Sequence, residues 1–313
     1  MSGPDALFSL RNNFQLGAYQ AAINESGVGG LSEAESIERD TIVYRSYIAL
    51  GSYQVRSADT RCARQLPGAL GSYQLVMDEI TESSATALQA VKLLATYLAD
   101  KSNKDAVVAG LEGYLSDPVI GKNATLLLVA GTVYAREQNF VDALKVAHAL
   151  PGNLELMALS VQVFLLMDRA DLAEKQVKAM QQVDEDATLT QLALGWVSLA
   201  MGGSKVQEAT YVFQELADKF SPTVALLNGS ALAQMHSGNF EDAEALLLDA
   251  LNKTRMCALA NPVFSCRAGA AVSTGPSLVL GAWWWQDAKD ANTLANLVVC
   301  SLHRGKPATR YLK

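Results

Sequence analysis

The amino-acid sequence predicts an all-α fold made of helix pairs that repeat along the chain. From about Leu126 onward, apolar residues recur every three or four positions, which is the period of a helix and not of a strand. Alanines recur at one place in successive pairs, namely Ala143, Ala173, Ala209 and Ala243. Because a period of about 34 residues is typical of tetratricopeptide repeats, we expect a helical-repeat solenoid of that type.

Small residues at a fixed spacing indicate where the two helices of a pair cross. Two antiparallel helices approach closely only where side chains are small, so each pair needs Ala or Gly on both faces. Gly131 and Ala143 stand at such positions in one pair, and Ala231 and Ala243 repeat the same spacing in a later pair. Larger side chains between them are expected to fill the gaps within and between pairs: Leu127, Tyr134, Phe140, Leu227, Phe240 and Leu247.

The N-terminal third of the chain follows the same plan more loosely. Residues 14–22 are typical of a turn followed by a second helix, and further helices are predicted over residues 35–50, 85–98 and 103–115. Cap and breaker residues separate the last two from their neighbours, at 81–85 and at Asp117-Pro118. We therefore expect one helical array over residues 1–313.

Composition excludes several classes of function. The net charge is −7 and no stripe of Lys and Arg is present, so DNA or RNA is not expected as a partner. The first ten residues lack positive charge and a continuous apolar core, and no stretch long enough to span a bilayer is continuously apolar. Neither a secretory signal nor a membrane-spanning helix is expected, and four cysteines do not form a disulfide framework. The cytosol is the predicted compartment.

Catalytic and metal-binding patterns are not found in the sequence. Gly202-Gly-Ser-Lys205 lacks the order and spacing of a phosphate-binding loop, and no Gly-x-Ser-x-Gly motif occurs. The three histidines lie on different repeats, and Cys257 and Cys266 have no second pair that would complete a zinc site. We expect no enzymatic activity and no cofactor.

The first helices of the predicted pairs suggest what the protein binds. They cover residues 123–135, 153–167, 186–201 and 221–236, and none of these stretches contains Lys or Arg. Repeat proteins usually bind partners along their first helices, so we expect an apolar, helical partner segment and not an acidic tail. Six residues are candidates for this groove: Leu127, Tyr134, Phe164, Gln191, Leu227 and Gln234. The alternative is that these residues belong to the hydrophobic core.

Long stretches of the sequence resemble one family, the epsilon subunit of coatomer, in its plant or green-algal version. The matching stretches are residues 5–24, 42–50, 90–94, 174–176, 180–186, 202–209, 238–244 and 296–303. The resemblance implies a non-enzymatic subunit of the COPI vesicle coat that binds the C-terminal region of the alpha subunit, together with other coatomer subunits. It further implies Golgi-to-ER and intra-Golgi transport, and attachment to the cytoplasmic face of Golgi membranes and COPI vesicles through the coat only.

A second function class stays open beside this one. A tetratricopeptide adaptor or co-chaperone would bind short peptide segments through the same helices. Such proteins capture acidic tails with cationic side chains, so the absence of Lys and Arg from the first helices disfavours this class.

Two segments depart from the family pattern. Gly51-Ser-Tyr-Gln54 recurs at residues 71–74, and residues 55–70 between them read as an insertion. A second insertion is predicted over residues 254–286, which contains Trp283, Trp284 and Trp285. Neither segment shows a helical period, so both are expected to be irregular and dispensable. They are either binding loops of this lineage or translated intron sequence.

Overall fold

The computed structural model describes residues 5–50, 76–81, 84–99, 104–259 and 291–305. All regular secondary structure in these ranges is helical, which confirms the predicted all-α helical-repeat fold. None of the helices there is long and apolar enough to cross a membrane. The chain divides into two compact units, Met1–Val163 and Phe164–Lys313.

Unit 1 contains the helices from the N-terminus to the middle of the chain. In order they are α1 (Phe8–Gln15), α2 (Tyr19–Asn24), α3 (Glu33–Leu50), α4 (Thr86–Ala99), α5 (Lys104–Ser116), α6 (Ala124–Arg136) and α7 (Phe140–Ala147). Helix α8 (Leu154–Leu166) begins in this unit and ends in the next. The predicted helices at 35–50, 85–98 and 103–115 agree with α3, α4 and α5 to within two residues at each end.

Unit 2 continues the helix pairs at a regular spacing. Its helices are α9 (Ala170–Val183), α10 (Thr188–Met201), α11 (Lys205–Lys219), α12 (Val224–His236), α13 (Phe240–Leu259) and α14 (Ala291–His303). Helices α10 and α11 form one pair, α12 and α13 form the next, and α14 packs against both members of the second pair. Helix α13 continues to Leu259, which is six residues into the second predicted insertion.

The rest of the predicted insertions, residues 55–70 and 260–286, lies outside the described residues. That residues 1–313 form one continuous array stays a prediction.

Capping residues explain where several helices begin. Asn123 precedes α6, and its side-chain oxygen accepts hydrogen bonds from the backbone N–H groups of Thr125 (3.0 Å) and Leu126 (3.3 Å). Ser32 and Glu35 form a reciprocal capping box at the start of α3, in which the Ser32 N–H donates to the Glu35 carboxylate at 2.8 Å. These side chains satisfy backbone donors that have no partner inside the helix.

First and second helices of the pairs differ in burial. In α6 every residue from Leu126 to Tyr134 is buried, so this first helix is covered on all sides. The second helix α7 buries Ala143 and Ala147, one turn apart, and exposes its opposite face. A helix that is apolar all round belongs in a core, whereas one with a single apolar stripe lies at the surface. In this pair the first helix therefore lies in the core of unit 1 and the second helix lies at its surface.

Glycines let large side chains fill the space between helices. In unit 2 the Phe213 ring of α11 lies between α10 and α12, where a Cβ atom at Gly195 would come within 2.9 Å of the ring and one at Gly229 within 2.8 Å. Trp196 meets the same ring edge-on, with centroids 5.3 Å apart. In unit 1 a Cβ at Gly131 would lie 2.5 Å from the Leu159 side chain. The small residues predicted at crossings are therefore required by direct contact.

The turns after α6, α8 and α12 share one backbone geometry, in which the second residue beyond the helix has a positive φ: 62° at Gln138, 59° at Asp168 and 81° at Gly238. The turn after α10 differs, with positive φ at both Gly202 and Gly203. Glycine adopts this conformation without strain, but a side chain at the same place is disfavoured by roughly 1 kcal/mol or more. Two of the three turns therefore carry a residue that is poorly suited to its backbone.

Candidate partner-binding surface

The six candidate groove residues occupy three kinds of position in the repeat. Leu127 and Leu227 are buried at equivalent places in α6 and α12 and belong to the core. Tyr134 is also buried, whereas Phe164 and Gln234 at its equivalent positions are half-buried. The sixth, Gln191, is half-buried near the start of α10. The six residues therefore lie in both units, and three of them, Leu127, Tyr134 and Leu227, are buried in the core.

Tyr134, Phe164 and Gln234 have a shared structural role. Each backbone carbonyl oxygen accepts a hydrogen bond, 2.9 Å long, from the N–H group five residues on, at Asn139, Arg169 and Asn239 respectively. These bonds close the turn to the second helix in the manner of a Schellman motif. The three residues therefore share a backbone role, which is to close the turn that follows α6, α8 and α12.

The repeat period identifies which side of the unit 2 first helices is open. Gly195 and Gly229 stand one period apart and both contact Phe213, so helices α10 and α12 present equivalent faces to α11. Helix α14 matches α12 less closely, since the buried Leu227 and Ala231 correspond to the buried Leu297 and Ser301 but Val299, in the place of Gly229, is 43% exposed. With the three helices aligned, side chains at i, i+3, i+7 and i+10 fall on one face of each helix.

This face is apolar and partly exposed. We define the first-helix surface as six side chains from these equivalent positions: Leu194 and Met201 of α10, Leu232 and Met235 of α12, and Val298 and Leu302 of α14. Met201 is 40% exposed and Leu302 is 64% exposed, while the other four are half-buried, and Met235 packs against the cluster that contains Leu297 and Cys300. Ser198 and Asn228, on the same face of α10 and α12, are buried, so the exposed part of the surface lies at Met201 and at Leu302. Helices α10 and α12 lie side by side, as do α12 and α14, which makes the surface continuous across unit 2.

Two polar residues on this face already have partners. Gln191 lies one turn before Leu194, and its side-chain amide donates to the Glu185 carbonyl oxygen at 2.8 Å. Asn228 is buried and exchanges two hydrogen bonds with the Thr293 hydroxyl, at 2.8 and 3.0 Å. Neither Lys nor Arg occurs in α10, α12 or α14. The first-helix surface is therefore suited to apolar contact.

Sequence reasoning missed these six residues although the signal was present. The recurring alanines show which positions of successive first helices are equivalent. Moving by one position along each helix leads from the face that contacts Phe213 to the face that carries these six residues. Three of the sequence candidates, Leu127, Tyr134 and Leu227, lie in the core, which was the stated alternative, because large apolar side chains are more often core.

The equivalent face in unit 1 is closed. Leu128 of α6 stands where the half-buried Leu194 stands in α10 and is buried, whereas Thr132 and its counterpart Ser198 are buried in both units. Glu155 of α8 takes the place of Gln191 and forms an ion pair with Arg45 of α3, with nitrogen and oxygen 3.3 Å apart. The Arg45 side chain is only 4% exposed, and its guanidinium lies 4.5 Å from the centre of the Phe14 ring. Arg45 thus connects α1, α3 and α8.

A second polar contact in unit 1 connects α4 and α5 to the end of α6. The Glu137 carboxylate accepts hydrogen bonds from Lys104, at 2.6 Å, and from the Tyr97 hydroxyl. These two bonds, chiefly that from Lys104, lower the pKa of Glu137, while burial and the bond to Glu137 raise the pKa of Tyr97. The group is a salt bridge at the surface that links neighbouring helix pairs.

Two histidines outside these groups contact the ends of neighbouring helices. The His148 ring nitrogen lies 2.7 Å from the Leu144 carbonyl oxygen at the end of α7, and His303 stacks on Phe240 with ring centroids 4.7 Å apart. Within the described residues no group of three or more His, Cys, Asp or Glu side chains is arranged to bind a metal ion.

Comparison with known proteins identifies the family. The model of the coatomer epsilon subunit family matches residues 3–64 and 63–269. This chain belongs to the coatomer epsilon subunit family. The resemblance inferred from the sequence is confirmed.

Curated members of the coatomer epsilon family align with nearly the whole chain. Coatomer subunit epsilon-1 of Arabidopsis thaliana is 48% identical over 312 residues, which cover 100% of this chain and 88% of the relative. Coatomer subunit epsilon-1 of Oryza sativa subsp. japonica is 47% identical, covering 100% of this chain and 89% of the relative. The coatomer epsilon subunit of Dictyostelium discoideum is 30% identical, with 97% and 86% covered.

A solved structure of a tetratricopeptide repeat protein from Parabacteroides merdae also aligns with this member of the coatomer epsilon family. The sequence identity is 15% and the TM-score is 0.46, with 78% of this chain and 90% of that chain covered. The assignment of the fold rests on the helix pairs described above.

Proposed function

We propose that this chain is a non-enzymatic structural subunit of the COPI coat that binds the C-terminal region of the coatomer alpha subunit. It acts in Golgi-to-ER retrograde and intra-Golgi transport, in the cytoplasm and on the cytoplasmic face of Golgi membranes and COPI vesicles. Its association with the membrane is peripheral and goes through the coat. Membership of the coatomer epsilon family supports the role, and the first-helix surface supports the mode of binding.

The exposure of Met201 and Leu302 on apolar helix faces is the observation that supports binding through apolar contact. Each square ångström of apolar surface that a partner covers contributes about 25 cal/mol. Acidic tails need cationic donors, and α10, α12 and α14 contain no Lys or Arg. Lys205, whose ammonium lies 3.4 Å from the Met201 sulfur, is already paired with Glu174 at 2.6 Å. The surface therefore favours a partner segment with apolar side chains over the acidic peptides that tetratricopeptide co-chaperones bind.

Charge placed on the first-helix surface tests this proposal. We expect Met201→Glu and Leu302→Lys to fold normally, because both side chains are exposed at the end of a helix, and Lys205, 3.4 Å from the Met201 sulfur, favours an acid at position 201. Each should weaken binding of the alpha subunit's C-terminal region at least ~10-fold, because complex formation would bury a charge in an apolar contact. Binding is measured by titration calorimetry and folding by circular dichroism.

Tyr211→Lys is the matched control. Tyr211 is 70% exposed but lies on the second helix α11, away from the first-helix surface. Equal affinity of all three variants and the wild type would show that the alpha subunit binds elsewhere. Affinity purification of the tagged chain from its own cells distinguishes the two function classes, since coatomer subunits support the proposal and chaperones oppose it.

A further inference from the structure

Arg45 is the least exposed cation among the ion pairs of the described residues. Its side chain is 4% exposed, whereas that of Arg304, the next in order, is 22% exposed. Arg45 belongs to α3 and contacts Phe14 of α1 and Glu155 of α8, so three helices of unit 1 meet at one guanidinium. A buried charge is costly unless its hydrogen-bond donors have acceptors.

One nitrogen of this guanidinium makes all of its hydrogen bonds. The Nη1 group donates to the two carboxylate oxygens of Glu155, at 3.3 and 3.5 Å, whereas Nε and Nη2 donate to no described residue. These two groups carry three of the five N–H donors of any guanidinium. Arg11, which is more exposed, donates through all three nitrogens to Glu38 and Asp5, at 2.5 to 2.9 Å. The more buried arginine is thus the less satisfied of the two.

The unused donors of Arg45 lie at a small opening. In the part of the chain that the structure describes, the enclosed side-chain polar atoms without a partner are Thr190 Oγ1 and Asn296 Nδ2, so no Arg45 nitrogen is fully enclosed. The guanidinium carbon lies 4.5 Å from the centre of the Phe14 ring, over its face. The N–H bonds of a guanidinium lie in its own plane, so they stay available beside a ring that covers one face. An acceptor can therefore approach Nε and Nη2 along that edge.

We propose that Arg45 and Glu155 bind an amide group of a partner polypeptide, whose carbonyl oxygen accepts from Nε and Nη2 of Arg45. The polypeptide is the alpha subunit's C-terminal region, so the inference rests on the proposed function. Glu155 takes on α8 the place of Gln191 on α10, which puts the pair on the first-helix side of unit 1.

The charges of the pair favour an amide over an anion. Glu155 already neutralises the guanidinium, and a second anion at Nε and Nη2 would lie close to the Glu155 carboxylate. A neutral carbonyl oxygen avoids that repulsion and still gains a charge-assisted hydrogen bond. Glu155 is 33% exposed and offers an acceptor to the N–H of the same amide. Apolar contact alone tolerates sliding of a bound segment, whereas a paired donor and acceptor determine its position.

Arg45→Met tests the site, because methionine keeps the packing on Phe14 and removes every donor. We expect the full-length variant to fold by circular dichroism and to bind the alpha subunit's C-terminal region at least ~10-fold more weakly in titration calorimetry. Arg39→Met is the matched control, since Arg39 is also on α3 but donates only to Ser36 and Asp40 of the same helix. It should bind like the wild type.

Arg45→Lys separates recognition from a structural role. Lysine keeps a positive charge beside Glu155 and Phe14 but lacks the planar N–H edge, so it should bind as weakly as Arg45→Met. Wild-type affinity in either Arg45 variant would overturn the proposal.

A titration with formamide tests the site without the alpha subunit. In nitrogen-15 NMR of the full-length wild type, the Nε–H signal of Arg45 should shift and saturate as formamide is added, while that of Arg39 should not saturate. An Arg45 signal that does not saturate overturns the proposal, also if the variants do not fold. If the wild type fails to bind the alpha subunit's C-terminal region but the Arg45 signal saturates, the proposed function fails and the amide site stands.

Discussion

At the scale of single residues, Phe213 sets the distance between two first helices. Its ring fills the gap between Gly195 and Gly229, and each glycine leaves room for the ring because it has no Cβ atom. The ring therefore belongs to two repeats at once. Contacts of this kind, shared between neighbours, make the stability of a repeat protein a sum of repeat and interface contributions.

Gly229→Ala is expected to destabilise unit 2. The new methyl carbon would come within 2.8 Å of the Phe213 ring, which is buried and has no space to move into. Overpacking of this kind costs about 1–3 kcal/mol. Gly110→Ala is the control, because a Cβ there meets nothing within 4 Å and alanine favours the helix α5 by up to about 1 kcal/mol. Urea unfolding followed by circular dichroism measures both; a Gly229→Ala variant of wild-type stability would contradict the described packing.

The ion pair between Arg45 and Glu155 is expected to respond asymmetrically to substitution. Glu155→Gln leaves a nearly buried guanidinium without its counter-charge and should lower the free energy of unfolding by about 1–3 kcal/mol. Arg45→Met keeps the packing on Phe14 and leaves Glu155, which is 33% exposed, in contact with water. We therefore expect Arg45→Met to cost less than Glu155→Gln. The reverse order in thermal unfolding would show that Arg45 acts through its cation–π contact and not through Glu155.

At the scale of helices and turns, the sequence predicted where the helices begin and end better than it predicted which face of each helix is buried. Periodicity and caps located α3, α4 and α5 to within two residues, since helix ends are determined by local residues. Which side of a first helix is exposed depends on neighbours far away in the sequence. Leu128 and Leu194 have the same residue type and the same register, yet only Leu128 is buried.

Gln138→Gly is expected to stabilise the turn between α6 and α7. Gln138 has a φ of 62°, and glycine at the equivalent position, Gly238, adopts 81° without a side chain to strain. The substitution should raise the free energy of unfolding by up to about 1 kcal/mol, and Gly238→Ala should lower it by about the same amount. Parallel urea titrations of the two variants check this. A loss of stability in Gln138→Gly would mean that the glutamine side chain contributes a contact that outweighs the backbone strain.

At the scale of the whole molecule, the repeat period and the family could be predicted from the sequence, whereas the burial of the equivalent faces in the two units could not. The recurring alanines are a local signal of close packing and they appear at the predicted crossings. The closing of the unit 1 face depends on Arg45 reaching Glu155, which is 110 residues away in the sequence. Nothing in the pattern around either residue indicates that contact.

Deleting residues 55–70 and 260–286 is expected to leave the fold and the proposed binding of the alpha subunit intact. Four residues would then join α13 to α14, as four join α11 to α12. A shorter link lowers the entropic cost of docking α14, by about 0.6 kcal/mol for each halving of its length, so the melting temperature should rise. Loss of alpha subunit binding would instead assign a binding role to one of the deleted segments.

The long link before α14 also has a consequence during synthesis. A ribosome adds about 5–20 residues per second, so residues 260–290 delay the appearance of α14 by roughly 2–6 s after α13 is complete. Throughout that interval the docking face around Ala243 and Leu247 has emerged without the helix that covers it. Until α14 emerges, these apolar side chains are covered only by the part of the chain already made.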